Sequence, residues 1–253
     1  IDMKILVIIP ARMGSSRFPG KPLKKIQSKP MIEHVYRNVS KNKLINNTIV
    51  ATCDNEIKSF IESIGGTVVM TSKKHERASD RCAEAVTKFE KINNINFDIV
   101  VMVQGDEPMV HPDMISEAIN PMLRDPKILV TNLLGKIKNS EEFEDPNCIK
   151  VVTNINSEAL FFSRRPIPYQ EQLDLKSVGK QVCIIPFKKN FLIKYSRMKP
   201  TPLEILESVD MLRILENGFK IKMVKTKYDT CPVDTQEDLI KVENLIKISL
   251  NSL

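Results

Sequence analysis

Tryptophan is absent from this chain of 253 residues. No uninterrupted apolar run approaches the roughly 20 residues that a membrane-spanning helix needs, so no integral membrane protein is expected. Histidine is scarce. His34, His75 and His111 are too dispersed to suggest a zinc site. The five cysteines, Cys53, Cys82, Cys148, Cys183 and Cys231, are scattered, odd in number and form no C-x-x-C pair. Reduced thiols in a cytoplasmic protein follow as the expectation. The start, Ile1-Asp2-Met3-Lys4-Ile5, runs straight into a strand-like segment without a charged region followed by a long apolar one, so no secretory signal is expected. Repeats and low-complexity linkers are also lacking.

What is present is ordinary globular material: 42% apolar and 27% charged residues, which argues against a mainly disordered chain. The length suits one large α/β domain, or a domain with a small sub-domain. The net charge of +7 is unevenly placed. The first fifty residues hold ten Lys or Arg and two Asp or Glu, a balance of +8, and the rest balances at −1. Such a block suits nucleic acid, an anionic membrane or a phosphate-bearing small molecule. Aromatics make up only 6% and do not interleave with it, so a stacking surface for nucleic acid has little support.

Short β-branched runs alternate with helical spacings through the first half. Lys4–Ile9, Thr48–Thr52, Thr67–Thr71 and Ile99–Val103 read as strands. Met31, Ile32, Val35, Tyr36 and Val39 recur at helical spacing, as do Ile57, Phe60, Ile61 and Ile64, and then Ala83, Val86 and Phe89. Asn55 is the expected cap of the second helix and Gly65-Gly66 its end. This order implies a mostly parallel sheet flanked by helices on both faces. Further on, Ile128–Leu134, Ile149–Thr153, Ala159–Phe162 and Val182–Ile185 read as strands, with a polar, Pro-containing loop from Arg165 to Lys180. Helices are expected over Pro202–Asn217 and Thr235–Ile248, the latter opened by a Thr235/Asp238 capping box. The expected division is an α/β core of residues 3–134 and 196–253, with a smaller sub-domain at 135–195.

The loop after the first strand, Pro10 to Leu23, carries two Gly, two Ser and the cations Arg12, Arg17 and Lys21. In a doubly wound sheet, ligands bind at this strand end, and such a loop can neutralise phosphate charge. It is not a P-loop. Five residues separate Gly14 from Gly20-Lys21, one too many, and Pro22 stands where Ser or Thr is needed. A solvated basic loop is the plain alternative. The fourth strand ends in Gln104-Gly105-Asp106-Glu107-Pro108, and Asp234 stands just before the last expected helix. Each carboxylate alone reads as a turn or helix-start residue. Two of them facing one cationic loop suggest a site for Mg²⁺ and a triphosphate.

Taken in order, Ile8 to Leu23 (IIPARMGSSRFPGKPL), Lys29-Pro30-Met31-Ile32, Gln104 to Pro108, Pro146-Asn147, Lys150-Val151-Val152, Ser163-Arg164, Ile167-Pro168, Pro202-Leu203-Glu204 and Val233-Asp234-Thr235 resemble the 3-deoxy-manno-octulosonate (KDO) cytidylyltransferase, or CMP-KDO synthetase, family over nearly the whole chain. The resemblance implies a nucleotide-diphospho-sugar transferase (Rossmann-like) fold and transfer of CMP from CTP to a sugar acid, with release of pyrophosphate. It implies a cytoplasmic homodimer serving lipopolysaccharide biosynthesis, with 135–195 contributing to acceptor binding and dimerisation. By position, Arg12, Arg17 and Lys21 would grip the triphosphate. Ala11, Ser79, Arg81 and Gln104 would lie near cytosine and ribose, Asp106 and Asp234 would bind Mg²⁺, and Arg164, Gln181, Glu207 and Asp210 would meet the sugar acid.

The departures from the family gather in the acceptor half. Where the family commonly has His-x-Gly-Ile-Tyr-Gly-Tyr, this chain has Gln181 to Phe187, so Gln181 replaces the His and Ile185 the first Tyr. Arg77-Ala78-Ser79-Asp80-Arg81 stands for Ser-Gly-Thr-Glu-Arg, and Ile205-Leu206-Glu207 for His-Ile-Glu. The acceptor stays open: KDO, an amino-KDO, another ulosonic acid or another anionic metabolite. A non-catalytic CTP-binding protein is the alternative of a different class.

Overall fold

A computed structural model describes residues 3–14 and 18–250. The chain divides into two units. The first runs to Ile115 and resumes at Thr230; the second is Ser116–Asp229.

The first unit begins with β1 (Ile5–Ala11), whose apolar residues are buried along almost its whole length, as a strand covered on both faces must be. A small hairpin follows, β2 (Lys25–Ile26) and β3 (Lys29–Pro30). Then come α1 (Met31–Val39), β4 (Asn47–Thr52), α2 (Asn55–Ser63), β5 (Val68–Met70), α3 (Ala78–Asn93) and β6 (Ile99–Val103). These strands form a parallel sheet in the order β6-β1-β4-β5, with Ile8 of β1 facing Ile49 of β4 and Met102 of β6. The chain works outward from β1 to β5, then crosses back to place β6 on the other side of β1. That reversal leaves a crevice at the carboxyl ends of β1 and β6, where ligands of such sheets bind. Gly65 ends α2 as expected, at φ 77°, a conformation only glycine adopts without penalty. The helix starts differently from expectation. Asp54 holds the cap position and Asn55 is already helical; the Asp54 carboxylate makes no cap hydrogen bond and instead accepts the Met13 N–H at 2.8 Å.

Helix α4 (Pro112–Arg124) carries the chain into the second unit. There follow β7 (Thr131–Lys136), α5 (Ser140–Glu144), β8 (Lys150–Thr153), β9 (Ala159–Ser163), β10 (Gly179–Val182), β11 (Ile184–Lys188), α6 (Lys189–Ser196), α7 (Pro202–Glu207), α8 (Met211–Glu216) and β12 (Lys222–Lys225). The second sheet has the order β12-β7-β10-β8-β9. It is antiparallel except where β12 runs beside β7. Helix α9 (Gln236–Leu250) returns to the first unit. Its capping box is formed as expected, Asp238 accepting the Thr235 N–H at 2.9 Å and Thr235 Oγ1 the Asp238 N–H at 3.2 Å.

Three expectations change here. The single strand at 182–185 is two strands parted at Cys183, and the single helix at 202–217 is two helices parted at Ser208, whose φ is 52°. The second unit is also wider than the 135–195 piece. β12 pairs with β7 and β7 with β10, which draws 131–136 and 222–225 into one sheet.

Candidate functional site

The basic loop after β1 is closed by its own backbone. Gly20 N–H meets Met13 O at 3.0 Å and Lys21 N–H meets Phe18 O at 3.2 Å. Phe18 anchors the loop from below, packed with Ile26, Met31, Val233, Leu239 and Val242. Gly20, at φ 70°, starts the 3₁₀ turn that presents Lys21. Lys21 Nζ donates to Val233 O at 2.8 Å and lies 3.4 Å from Asp234 Oδ1. The Val233 N–H in turn donates to Asp106 O at 2.8 Å. The segments that carry Asp106 and Asp234, 128 residues apart in sequence, are thereby joined near the carboxyl end of β6, with Lys21 beside Asp234. Arg12 follows the last residue of β1, Ala11, and is exposed, making no hydrogen bond or ion pair with the described residues. Gln104 follows directly on β6. Arg17 lies outside the described residues.

Among the described residues, no three His, Cys, Asp or Glu side chains gather as a metal cluster. The donor set nonetheless fits Mg²⁺, which takes one or two carboxylates and fills its octahedron with water and substrate phosphate oxygens. Asp106 and Asp234 are two hard oxygen donors of that kind.

Ser79 and Arg81 lie in the first turn of α3, both buried. The Arg81 guanidinium donates to Thr71 Oγ1 at 2.5 Å, just past the carboxyl end of β5. Ser79 Oγ has no hydrogen-bond partner among the described residues. Such a buried orphan calls for an explanation, and a ligand is one. The loop leading into α3 is fastened by Glu84. Its carboxylate accepts the Ser72 N–H at 3.0 Å, pairs with His75, and meets Lys88 at 2.6 Å. Burial pushes the Glu84 pKa up, but these hydrogen bonds outweigh it and hold the pKa at about 2.

In the second unit, Arg164 and Glu207 are joined directly. The Glu207 carboxylate accepts Ser163 Oγ at 2.8 Å and the Arg164 N–H at 2.9 Å. The Arg164 guanidinium donates to the carbonyls of Glu207 (2.8 Å), Pro146 (2.9 Å) and Ser208 (3.2 Å). Both residues line a cleft of about 580 Å³ together with Glu144, Pro146, Arg165, Leu203 and Leu206. Asp210 caps α8, and its carbonyl accepts Tyr195 Oη at 2.7 Å. Gln181 is held elsewhere, its Nε2 donating to Asn132 Oδ1 at 2.9 Å. Ile185 is 1% exposed, a core residue of β11.

Sequence reasoning left two supporting residues without a role. Glu107 is buried, and its Oε1 accepts the Cys231 N–H at 2.6 Å. It thus fastens the returning chain that carries Asp234. Glu84 is the other. Both were visible only as carboxylates near motifs, since each fastens a loop through a main-chain N–H that has no sequence signature.

Residues 6–222 match the cytidylyltransferase family. The chain is similar to the 3-deoxy-manno-octulosonate cytidylyltransferase of Geobacter metallireducens, 43% identical over 251 residues, or 95% of this chain and 96% of that one. Its counterpart in Fusobacterium nucleatum is 42% identical over 245 residues, covering 97% and 98%. A solved structure of CMP:2-keto-3-deoxy-manno-octonic acid synthetase complexed with CTP superposes with a TM-score of 0.87 at 35% identity, covering 97% of this chain and 99% of that one. The 4-diphosphocytidyl-2C-methyl-D-erythritol synthase of Anaerococcus prevotii shares the fold at 17% identity, with a TM-score of 0.62.

Proposed function

Because this chain belongs to the cytidylyltransferase family, we propose that it transfers CMP from CTP to KDO or a close relative and releases pyrophosphate. The observation that carries the reading is the joining of Lys21, Asp106 and Asp234 through Val233 at the switch point of the parallel sheet. A cation with two hard-oxygen donors at that edge is what a metal-bound triphosphate requires.

In this reading, an acceptor hydroxyl attacks the α-phosphorus of CTP in line, and the bond to the bridging oxygen of the leaving pyrophosphate breaks. The protein's contribution is positioning and charge stabilisation. Arg12, Arg17 and Lys21 neutralise the departing pyrophosphate. Ala11, Ser79, Arg81 and Gln104 hold the nucleoside, and the unpartnered Ser79 hydroxyl supports that assignment. Asp106 and Asp234 would hold Mg²⁺, which when bound polarises phosphate oxygens and acidifies a nearby hydroxyl. Lys21, now 3.4 Å from Asp234, is freed to turn to phosphate once that charge is otherwise satisfied. Arg164, Glu207, Asp210 and Gln181 receive the acid sugar in the 135–195 region and the following helices. Three Arg164 donors already serve carbonyls, which leaves two of its five for a ligand. The protein acts as a cytoplasmic homodimer supplying lipopolysaccharide biosynthesis.

A retuned acceptor site would rest on the imidazole missing at Gln181 and the phenol missing at Ile185, which is a core residue. The test is pyrophosphate release with CTP and a panel comprising KDO, 8-amino-KDO and other ulosonic acids. Turnover with at least one of these is expected. No turnover with any would contradict the reading.

A further inference from the structure

We propose that Lys150 is a positioning residue for the acceptor: its ammonium ties the 145–148 turn to Arg164 and so fixes the mouth of the second unit's cleft. The proposal rests on the reading that this cleft receives the acid sugar.

Lys150 is the first residue of β8 and is fully buried. Its Nζ donates to the carbonyls of Cys148 (2.6 Å), Arg164 (2.7 Å) and Asp145 (2.9 Å). An ammonium has three N–H donors and no acceptor, so these carbonyls use it completely. A buried ammonium without partners is strongly unfavourable, so the three carbonyls are held to the lysine as firmly as it is held to them.

Arg164 extends the same arrangement. Its side chain reaches Pro146 O within the turn, and on the other side Glu207 O and Ser208 O. Three segments therefore converge through two cations: the turn, the end of β9, and the end of α7. The same three segments supply Pro146, Arg164 and Glu207 to the cleft. Without Lys150 the turn loses its tether. Pro146 then shifts against Arg164, and the two remaining guanidinium donors lose their aim. Lys150 also adds positive charge beside Arg164, and the cleft must attract a carboxylate ligand past Glu144 and Glu207. Neither effect touches phosphorus chemistry, so acceptor binding and not turnover should suffer.

The experiment compares Lys150→Met and Lys150→Arg with the parent for acceptor KM, CTP KM and kcat. The methionine removes every donor. The arginine keeps charge and donors, but its planar fork cannot meet three carbonyls as a tripod does. Acceptor KM should rise in the order parent, Arg, Met, by about tenfold or more for Met, with CTP KM unchanged, as expected for misplacement of a binding group. Should the methionine variant fail to fold, the arginine variant decides, with raised acceptor KM at unchanged CTP KM. Parent-like acceptor KM in the folded variants overturns the proposal, as does a parallel rise in both KM values. Leu206→Asp, which puts a negative charge on an exposed cleft residue, separates the two ideas. If it raises acceptor KM while the Lys150 variants do not, the positioning role fails and the cleft assignment stands. If it leaves acceptor KM unchanged, the cleft assignment fails and the proposal with it.

Discussion

Asp106 and Asp234 come together because a backbone bond links the chain beside each: Val233 N–H to Asp106 O. Replacing one carboxylate by an amide keeps that bond and removes only a hard anionic ligand. Asp106→Asn should therefore lose about two or more orders of magnitude in kcat with an unchanged circular dichroism spectrum, the scale on which transition-state charge stabilisation is lost. Near-parent turnover in the folded variant would refute its role. Glu84 makes a pH prediction. Its carboxyl is held at about 2 from an ordinary 4.5, so the folded state favours the charged form. The stability it adds is complete above pH 4.5 and is lost as pH falls through about 2. Glu84→Gln should flatten that part of a stability-against-pH curve, read by urea denaturation; an unchanged curve counts against the network. Cys148 is pushed up to about 11, by burial first and then by Glu142. At neutral pH it should resist iodoacetamide, as mapped by mass spectrometry. The motif residues Lys21, Asp106 and Asp234 were legible in the sequence because strand ends and a helix start locate them. Ile185 was misread. A change of residue type reveals chemistry, but not whether the side chain faces a ligand or the core.

Elements with a strong period were equally legible. β1, β4, β6 and α1 fall where their apolar spacing puts them, because burial on both faces leaves few alternatives. α6 and β12 were not seen; each is short and mixes Lys with apolar residues. The corner between α7 and α8 was also missed, since its cause is tertiary. Glu204 and Arg213 form a buried bidentate pair at 2.6 and 2.7 Å, drawing α8 back across α7 and forcing the turn at Ser208. Removing one partner strands the other charge. Glu204→Gln should thus cost about 3–5 kcal/mol in chemical denaturation. It should also raise acceptor KM, because Glu207 stands at the end of α7. A loss below about 1 kcal/mol would mean the pair does not hold the corner.

For the molecule as a whole, the excess positive charge lies in the first fifty residues, and one of its cations, Lys21, stands beside Asp234 in the first unit. The five cysteines form no disulfide among the described residues, and the described helices are too short or too polar to cross a bilayer. The proposed homodimer predicts twice the chain mass of 28.8 kDa by light scattering at micromolar concentration; a strictly monomeric mass would reject it. The central claim is cytidylyl transfer. It is tested most directly by incubating the purified protein with Mg²⁺, KDO and CTP, UTP, ATP or GTP in turn, and following both the nucleotide–sugar and pyrophosphate. The account predicts CMP–sugar and pyrophosphate in equal amounts with CTP, and little product with the other three. Equal use of UTP, or pyrophosphate without a CMP–sugar, would contradict it.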